Sequence, residues 1–168
     1  MVLKAIYGVR LQRNSASNQG INSQTRDSRC HEAKDLRIIG TMTEIDRLGE
    51  NLSEIAQFKL DEVEHLSSCT FLNLHGNRLQ LLNGLPYNRL LSLTELNLSS
   101  NDFVSCHLPE LSHLPTLRIL DLSANKLQSV ADLPFLPGLE ALSVAYNSIC
   151  RLDGLEENIP NIIRLDVS

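Results

Sequence analysis

The side chains best able to bind metal or carry out catalysis are few and scattered. The five histidines are His31, His65, His75, His107 and His113, and the four cysteines are Cys30, Cys69, Cys106 and Cys150. His107 and His113, with Cys106 adjacent, come nearest to a metal-ligand grouping, and a solvated surface explains them as well. There is no C-x-x-C pair, no H-E-x-x-H and no phosphate-cradling glycine loop. There is no G-x-S-x-G elbow either. No catalytic residue, metal ligand or cofactor contact is therefore assigned, and the chain is not expected to be an enzyme. The residues that do recur in phase are four asparagines, Asn77, Asn101, Asn125 and Asn147. An asparagine amide both donates and accepts hydrogen bonds.

Each asparagine closes one copy of an eleven-residue pattern. The copies are Cys69-x-x-Leu72-x-Leu74-x-x-Asn77-x-Leu79, Leu93-x-x-Leu96-x-Leu98-x-x-Asn101-x-Phe103, Leu117-x-x-Leu120-x-Leu122-x-x-Asn125-x-Leu127 and Leu139-x-x-Leu142-x-Val144-x-x-Asn147-x-Ile149. A fifth begins at Ile162 and runs through Leu165 and Val167 to Ser168. Successive starts lie 24, 24, 22 and 23 residues apart. Within each copy the apolar residues alternate, which is the period of a β-strand. Leu72/Leu74, Leu96/Leu98, Leu120/Leu122 and Leu142/Val144 should point inward, and the asparagine should turn the chain out of the strand. Beyond it, apolar residues return about every third position, as in Leu127, Val130, Leu133, Leu136 and Leu139. That step fits 3₁₀ turns or a short helix. Prolines at 109, 115, 134, 137 and 160 argue against long helices.

The pattern resembles the leucine-rich repeat superfamily, whose period is about 20–29 residues. It looks most like the short intracellular, SDS22-like type, and the Leu152-Asp153-Gly154-Leu155 segment resembles the convex part of such repeats. The resemblance covers residues 69–168. It implies an α/β solenoid with short parallel strands on a concave face and 3₁₀ turns or short helices on a convex one. It further implies that Asn77, Asn101, Asn125 and Asn147 form a buried structural ladder that bonds the backbone of adjacent coils. Neighbouring coils bury what no single strand could.

Charge divides the chain. Residues 1–40 carry seven Lys/Arg and three Asp/Glu, whereas residues 41–168 carry eight and seventeen. An acidic repeat region argues against nucleic-acid binding, which wants a basic face. The cysteines do not cluster as extracellular repeat caps do, so a reducing, intracellular setting is expected. No apolar stretch approaches the roughly 18–20 residues that would span a bilayer, and no membrane association is expected.

The polar stretch within residues 1–40 is expected to be a disordered tail. Its first 26 residues contain no acid, a composition shared with mitochondrial transit peptides as well as ordinary tails. Residues 41–68 are expected to be an N-terminal cap. The helical spacing of Ile45, Leu48, Leu52 and Ile55 predicts a helix there, followed by a degenerate strand at 58–60. At the other end, Leu165 and Val167 should lie uncovered, so the chain is either part of a longer repeat protein or frays from about Ile162.

The informative surface is the concave face, built by the residues between the buried leucines. One column is Phe71, Glu95, Ile119, Ala141 and Arg164. The next is Asn73, Asn97, Asp121, Ser143 and Asp166, and a third is His75, Ser99, Ser123 and Ala145. Of these, Phe71, Asn73, His75, Glu95, Asn97, Ser99, Ile119, Asp121, Ser123, Ala141 and Ser143 are the candidate partner-binding residues. The expected function is a monomeric interaction module or scaffold that binds a protein partner, in the cytoplasm and on the cytoskeleton or cilium. The alternatives are a recognition fragment of a larger enzyme or receptor, or a phosphatase-regulatory subunit, with a nuclear or mitochondrial location also open.

Overall fold

A computed structural model of the chain describes residues 36–39 and 42–168. Seven strands form one sheet in chain order: β1 (Leu36–Ile39), β2 (Met42–Asp46), β3 (Cys69–Asn73), β4 (Glu95–Asn97), β5 (Ile119–Asp121), β6 (Ala141–Ser143) and β7 (Arg164–Asp166). The first pair is antiparallel and every later pair is parallel. Six strands are thus parallel neighbours, and each is reached by one turn of the repeat, here called a coil. The returning segments are short. They include 3₁₀ helices at Ile55–Phe58, Leu60–Glu62, Leu66–Ser68 and Pro109–His113, and a single α-helical turn, α1, at Leu155–Asn158.

Period-two alternation sets which face is buried. Leu72, Leu74, Leu96, Leu98, Leu120, Leu122, Leu142 and Val144 all lie in the core. The step-of-three residues fill it from the other side, among them Leu82, Leu90, Phe103, Leu108, Leu111, Val130 and Leu133. At roughly 1.5–3 kcal/mol for each buried large side chain, this continuous row of leucines is the main source of stability. Cys69 and Cys106 stand within it as small apolar groups.

Each asparagine spans two coils. The Asn101 amide nitrogen donates to the carbonyls of Leu98 and Leu74, both at 3.0 Å, and of Ser99 at 3.2 Å. Its oxygen accepts from the Leu79 amide of the preceding coil at 2.9 Å. Asn125 repeats this with Leu98, Leu122, Ser123 and the Phe103 amide. Asn147 does so with Leu122, Val144, Ala145 and the Leu127 amide. Asn77 reaches back to the Arg47 carbonyl and the Leu52 amide.

That last set of bonds corrects the expectation for residues 41–68. No helix forms over Ile45–Ile55. Met42–Asp46 is a strand beside β3, with Ile45 opposite Leu72 and Asp46 opposite Asn73. Residues 42–52 are a degenerate repeat, Met42-x-x-Ile45-x-Arg47-x-x-Glu50-x-Leu52, in step with the coil that starts at Cys69. Arg47 stands at a leucine position and Glu50 at the asparagine position. Arg47 donates to the Phe58 carbonyl at 2.7 Å and pairs with Glu50 at 3.1 Å. The helical spacing was a coincidence that sheet pairing overrides, and Leu48, on the expected helical face, is exposed. The expected strand at 58–60 is also absent. Phe58 and Leu60 are both buried, but in consecutive 3₁₀ turns joined by Lys59, whose φ is 52°. Of the expected polar tail, residues 1–35 and 40 lie outside the described residues, and 36–39 form β1.

A second device recurs at every turn out of the sheet. The residue just before each asparagine, or its counterpart Glu50, has positive φ: Gly49 63°, Gly76 69°, Ser100 54°, Ala124 51° and Tyr146 54°. Its amide donates to a carbonyl of the next coil, as Ser100 does to Ser123 at 2.9 Å. Left-handed backbone is cheapest for glycine, which explains the small residues there. Tyr146 is the exception, and its side chain is 77 % exposed.

Candidate functional site

The parallel register assembles the open face of the sheet. Phe71, Glu95, Ile119, Ala141 and Arg164 are Cα partners in sequence across β3 to β7, and Glu44 precedes them on β2. Asp46, Asn73, Asn97, Asp121, Ser143 and Asp166 form the adjacent column. Phe71, Asn73, His75, Glu95, Asn97, Ile119, Asp121 and Ser123 are half-buried. Ser99, Ala141 and Ser143 are buried, as is Ala145. Small side chains at these positions do not rise above taller neighbours, so the accessible relief of the face lies toward β2–β5.

The second column has a structural duty as well. The side-chain oxygen of Asp46, Asn73, Asn97, Asp121 and Asp166 accepts in each case from the amide two residues on, at 2.9–3.2 Å. These Asx turns fix how the chain leaves each strand. One carboxylate oxygen of Asp121 is engaged in this way, and the side chain keeps a second. The signal was present in the sequence as Asp or Asn at one fixed place in five of six strands.

A serine and a histidine meet on this face, but not as a nucleophile and its base. The Ser99 hydroxyl donates to Asn97 Oδ1 at 2.6 Å. Its oxygen therefore accepts from His75 Nδ1, also at 2.6 Å. The imidazole is the donor in that pair, and Ser99 is buried. The Cys106, His107 and His113 grouping does not converge either. Cys106 is buried, and its thiol is pushed up to about 12 by burial and then by the Asp132 charge. His113 stacks on Tyr87 at 4.5 Å between ring centres. Among the described residues, no three His, Cys, Asp or Glu side chains gather as a metal site would require. Burial likewise pushes the Cys69 thiol up to about 11, although backbone hydrogen bonds oppose the shift. A thiol so placed stays protonated and inert at neutral pH.

Glu95 is the electrostatically unusual group. Burial raises its carboxyl above the ordinary value, and the charges of Glu44 and Asp121 raise it further. The folded chain therefore holds this proton more tightly than the unfolded chain does. The resulting stability is present at acid pH and is lost as pH rises through the ordinary carboxylate range and then the raised value. Glu95→Gln is expected to raise the melting temperature at pH 7. The gain should disappear near pH 4, below about the ordinary carboxylate value. Equal gains at both pH values would show that packing, not charge, is responsible.

Residues 92–114, one repeat in length, match the family model described as Leucine Rich Repeat. Taken with the in-phase asparagines and the parallel sheet, this makes the fold one of the leucine-rich repeat type. Among solved structures, the chain is similar to the leucine-rich repeat domain of APL1B, at 18% identity and a TM-score of 0.36. That similarity covers 69% of this chain and 44% of the other. No curated protein matches the sequence.

Proposed function

We propose that this chain is a protein-interaction module, a solenoid that receives a partner protein on the open, concave face of its sheet. The observation that supports this most is the face itself. Phe71 and Ile119 stand half-buried in one row with Glu95 between them, so both keep accessible apolar surface. Apolar groups left accessible in a shaped surface mark a contact site. The resemblance to SDS22-like repeats fits an intracellular scaffold, with cytoskeletal or ciliary assemblies as the first place to look. Leucine-rich repeat domains generally act as interaction modules, which agrees with this reading.

Affinity capture from cell extract with paired variants tests it. Ile119→Ala with Asp121→Lys is expected to reduce capture of the retained protein at least about tenfold, as loss of a small binding hot spot does. Ser129→Ala with Asp132→Asn, away from the sheet face, should leave capture unchanged. The reverse pattern would move the site off this face.

A further inference from the structure

We propose that the part of this face centred on Phe71 takes a basic partner segment, in which lysine or arginine side chains flank an apolar residue. This rests on the preceding reading of the face as a binding surface and names the chemistry that would occupy it.

The register sets carboxylates around one aromatic ring. Glu44, Phe71 and Glu95 are aligned on β2, β3 and β4. Neighbouring strands are about 4.8 Å apart, so the two glutamates stand on either side of the ring, roughly 10 Å from each other along the sheet. Asp121 adjoins Glu95 from β5, one column over. The apolar residues share this row. Phe71 lies on one side of Glu95 and Ile119 on the other, and all three are half-buried. An apolar side chain can therefore settle between groups that call for cations.

Among the described residues, no ion pair reaches Glu95 or Asp121. The ion pairs among the described residues join Arg47 to Glu50, Lys59 to Glu62, Arg118 to Glu140, Lys126 to Asp102 and Arg151 to Asp153. Arg47 stands at an inward, leucine position and is committed to Glu50 and the Phe58 carbonyl, and Arg118, beside Ile119, is committed to Glu140. Arg164 lies three strands from Glu95. Burial, and then repulsion from Glu44 and Asp121, act against ionised Glu95, and Arg37, the Cα partner of Glu44 on β1, lies three strands from Glu95. A guanidinium or ammonium group from outside would relieve the repulsion, and an acidic segment would add to it. Such complementarity governs both encounter rate and choice of partner.

The test measures fluorescence anisotropy with the full chain at physiological ionic strength. The probe is a fluorescein-labelled peptide of arginine and leucine, and the control peptide has glutamate for each arginine. The arginine peptide is expected to bind saturably and the glutamate peptide not at all. Glu95→Gln with Asp121→Asn should weaken binding about tenfold or more, which is the loss of roughly one good charge contact. Asn at 121 keeps the turn, because Asn73 and Asn97 hold the same position. Glu156→Gln with Glu157→Gln removes two exposed charges from α1 and should leave affinity unchanged. Circular dichroism confirms that both variants fold. Equal losses in the two double variants would mean that the peptide follows net charge alone, and the proposal falls. It falls equally if the arginine peptide does not bind, or if the Glu95 and Asp121 variant binds as the parent does. If partner capture still depends on Ile119 and Asp121 in those cases, the face remains a binding surface for a different chemistry. If capture ignores the face, both readings fail.

Discussion

Phe103→Ala is expected to destabilise the fold by about 3–5 kcal/mol, the range for removing a buried aromatic ring and leaving part of its volume empty. Phe103 has no accessible surface. It occupies the position taken by Leu79 and Leu127 in the neighbouring copies, so the core at this level is built around a larger side chain than its neighbours require. Its amide is tied to Asn125 at 3.0 Å, which holds the backbone in place and limits how far the cavity can collapse. Phe103→Leu restores the side chain of the other copies and should recover most of the loss. Chemical denaturation of the three proteins decides the matter. If Phe103→Ala melted with the parent, the register of the second coil would be wrong.

Asn101→Ala is expected to cost about 1–3 kcal/mol, chiefly because the buried Leu79 amide would lose its acceptor. The effect should depend on the chemistry of the replacement rather than its size. Asn101→Asp keeps an acceptor for Leu79. At neutral pH, however, it would turn a carboxylate oxygen toward the carbonyls of Leu74, Leu98 and Ser99, which now receive the amide nitrogen. The aspartate variant should therefore be no more stable than the alanine variant at neutral pH, and should recover at acid pH as the carboxyl protonates. Urea melts at two pH values give the comparison. A stable, pH-independent aspartate variant would mean that the donor half of this amide does little.

These two residues also show why the repeats were legible and their surroundings less so. Between 69 and 168, buried leucines at period two and asparagines in phase report the same geometry from two independent constraints, core packing and backbone satisfaction. At 42–52 both markers are disguised. Arg47 replaces the leucine and makes its own bond to the Phe58 carbonyl, while Glu50 replaces the asparagine and pairs with that arginine. What remained visible was Ile45, Leu48, Leu52 and Ile55, whose spacing imitates a helix. A comparison with the Cys69 copy position by position would have exposed the match, because Gly49 and Gly76 coincide at the left-handed turn. On the open face, the alternation rule placed Phe71, Glu95 and Ile119 together. It could not show that Ser99, Ala141 and Ser143 are buried, since relief depends on the heights of neighbouring side chains. Nor did it separate the turn-forming duty of Asn73, Asn97 and Asp121 from their place on the surface.

The asparagine bonds all reach in one direction. Leu52, Leu79, Phe103 and Leu127 each donate an amide to the asparagine of the following coil. No asparagine oxygen accepts from the coil after it in this set. Each coil's turn is thus completed by its successor, and the stack has a polarity. A load that peels away a later coil strips a buried amide in the earlier one of its acceptor. A load that peels away an earlier coil leaves the next asparagine still bonded to two carbonyls of its own coil. The same bonds part whichever end is pulled, but the exposed end differs: a backbone amide is left unmatched on one side and an asparagine oxygen on the other.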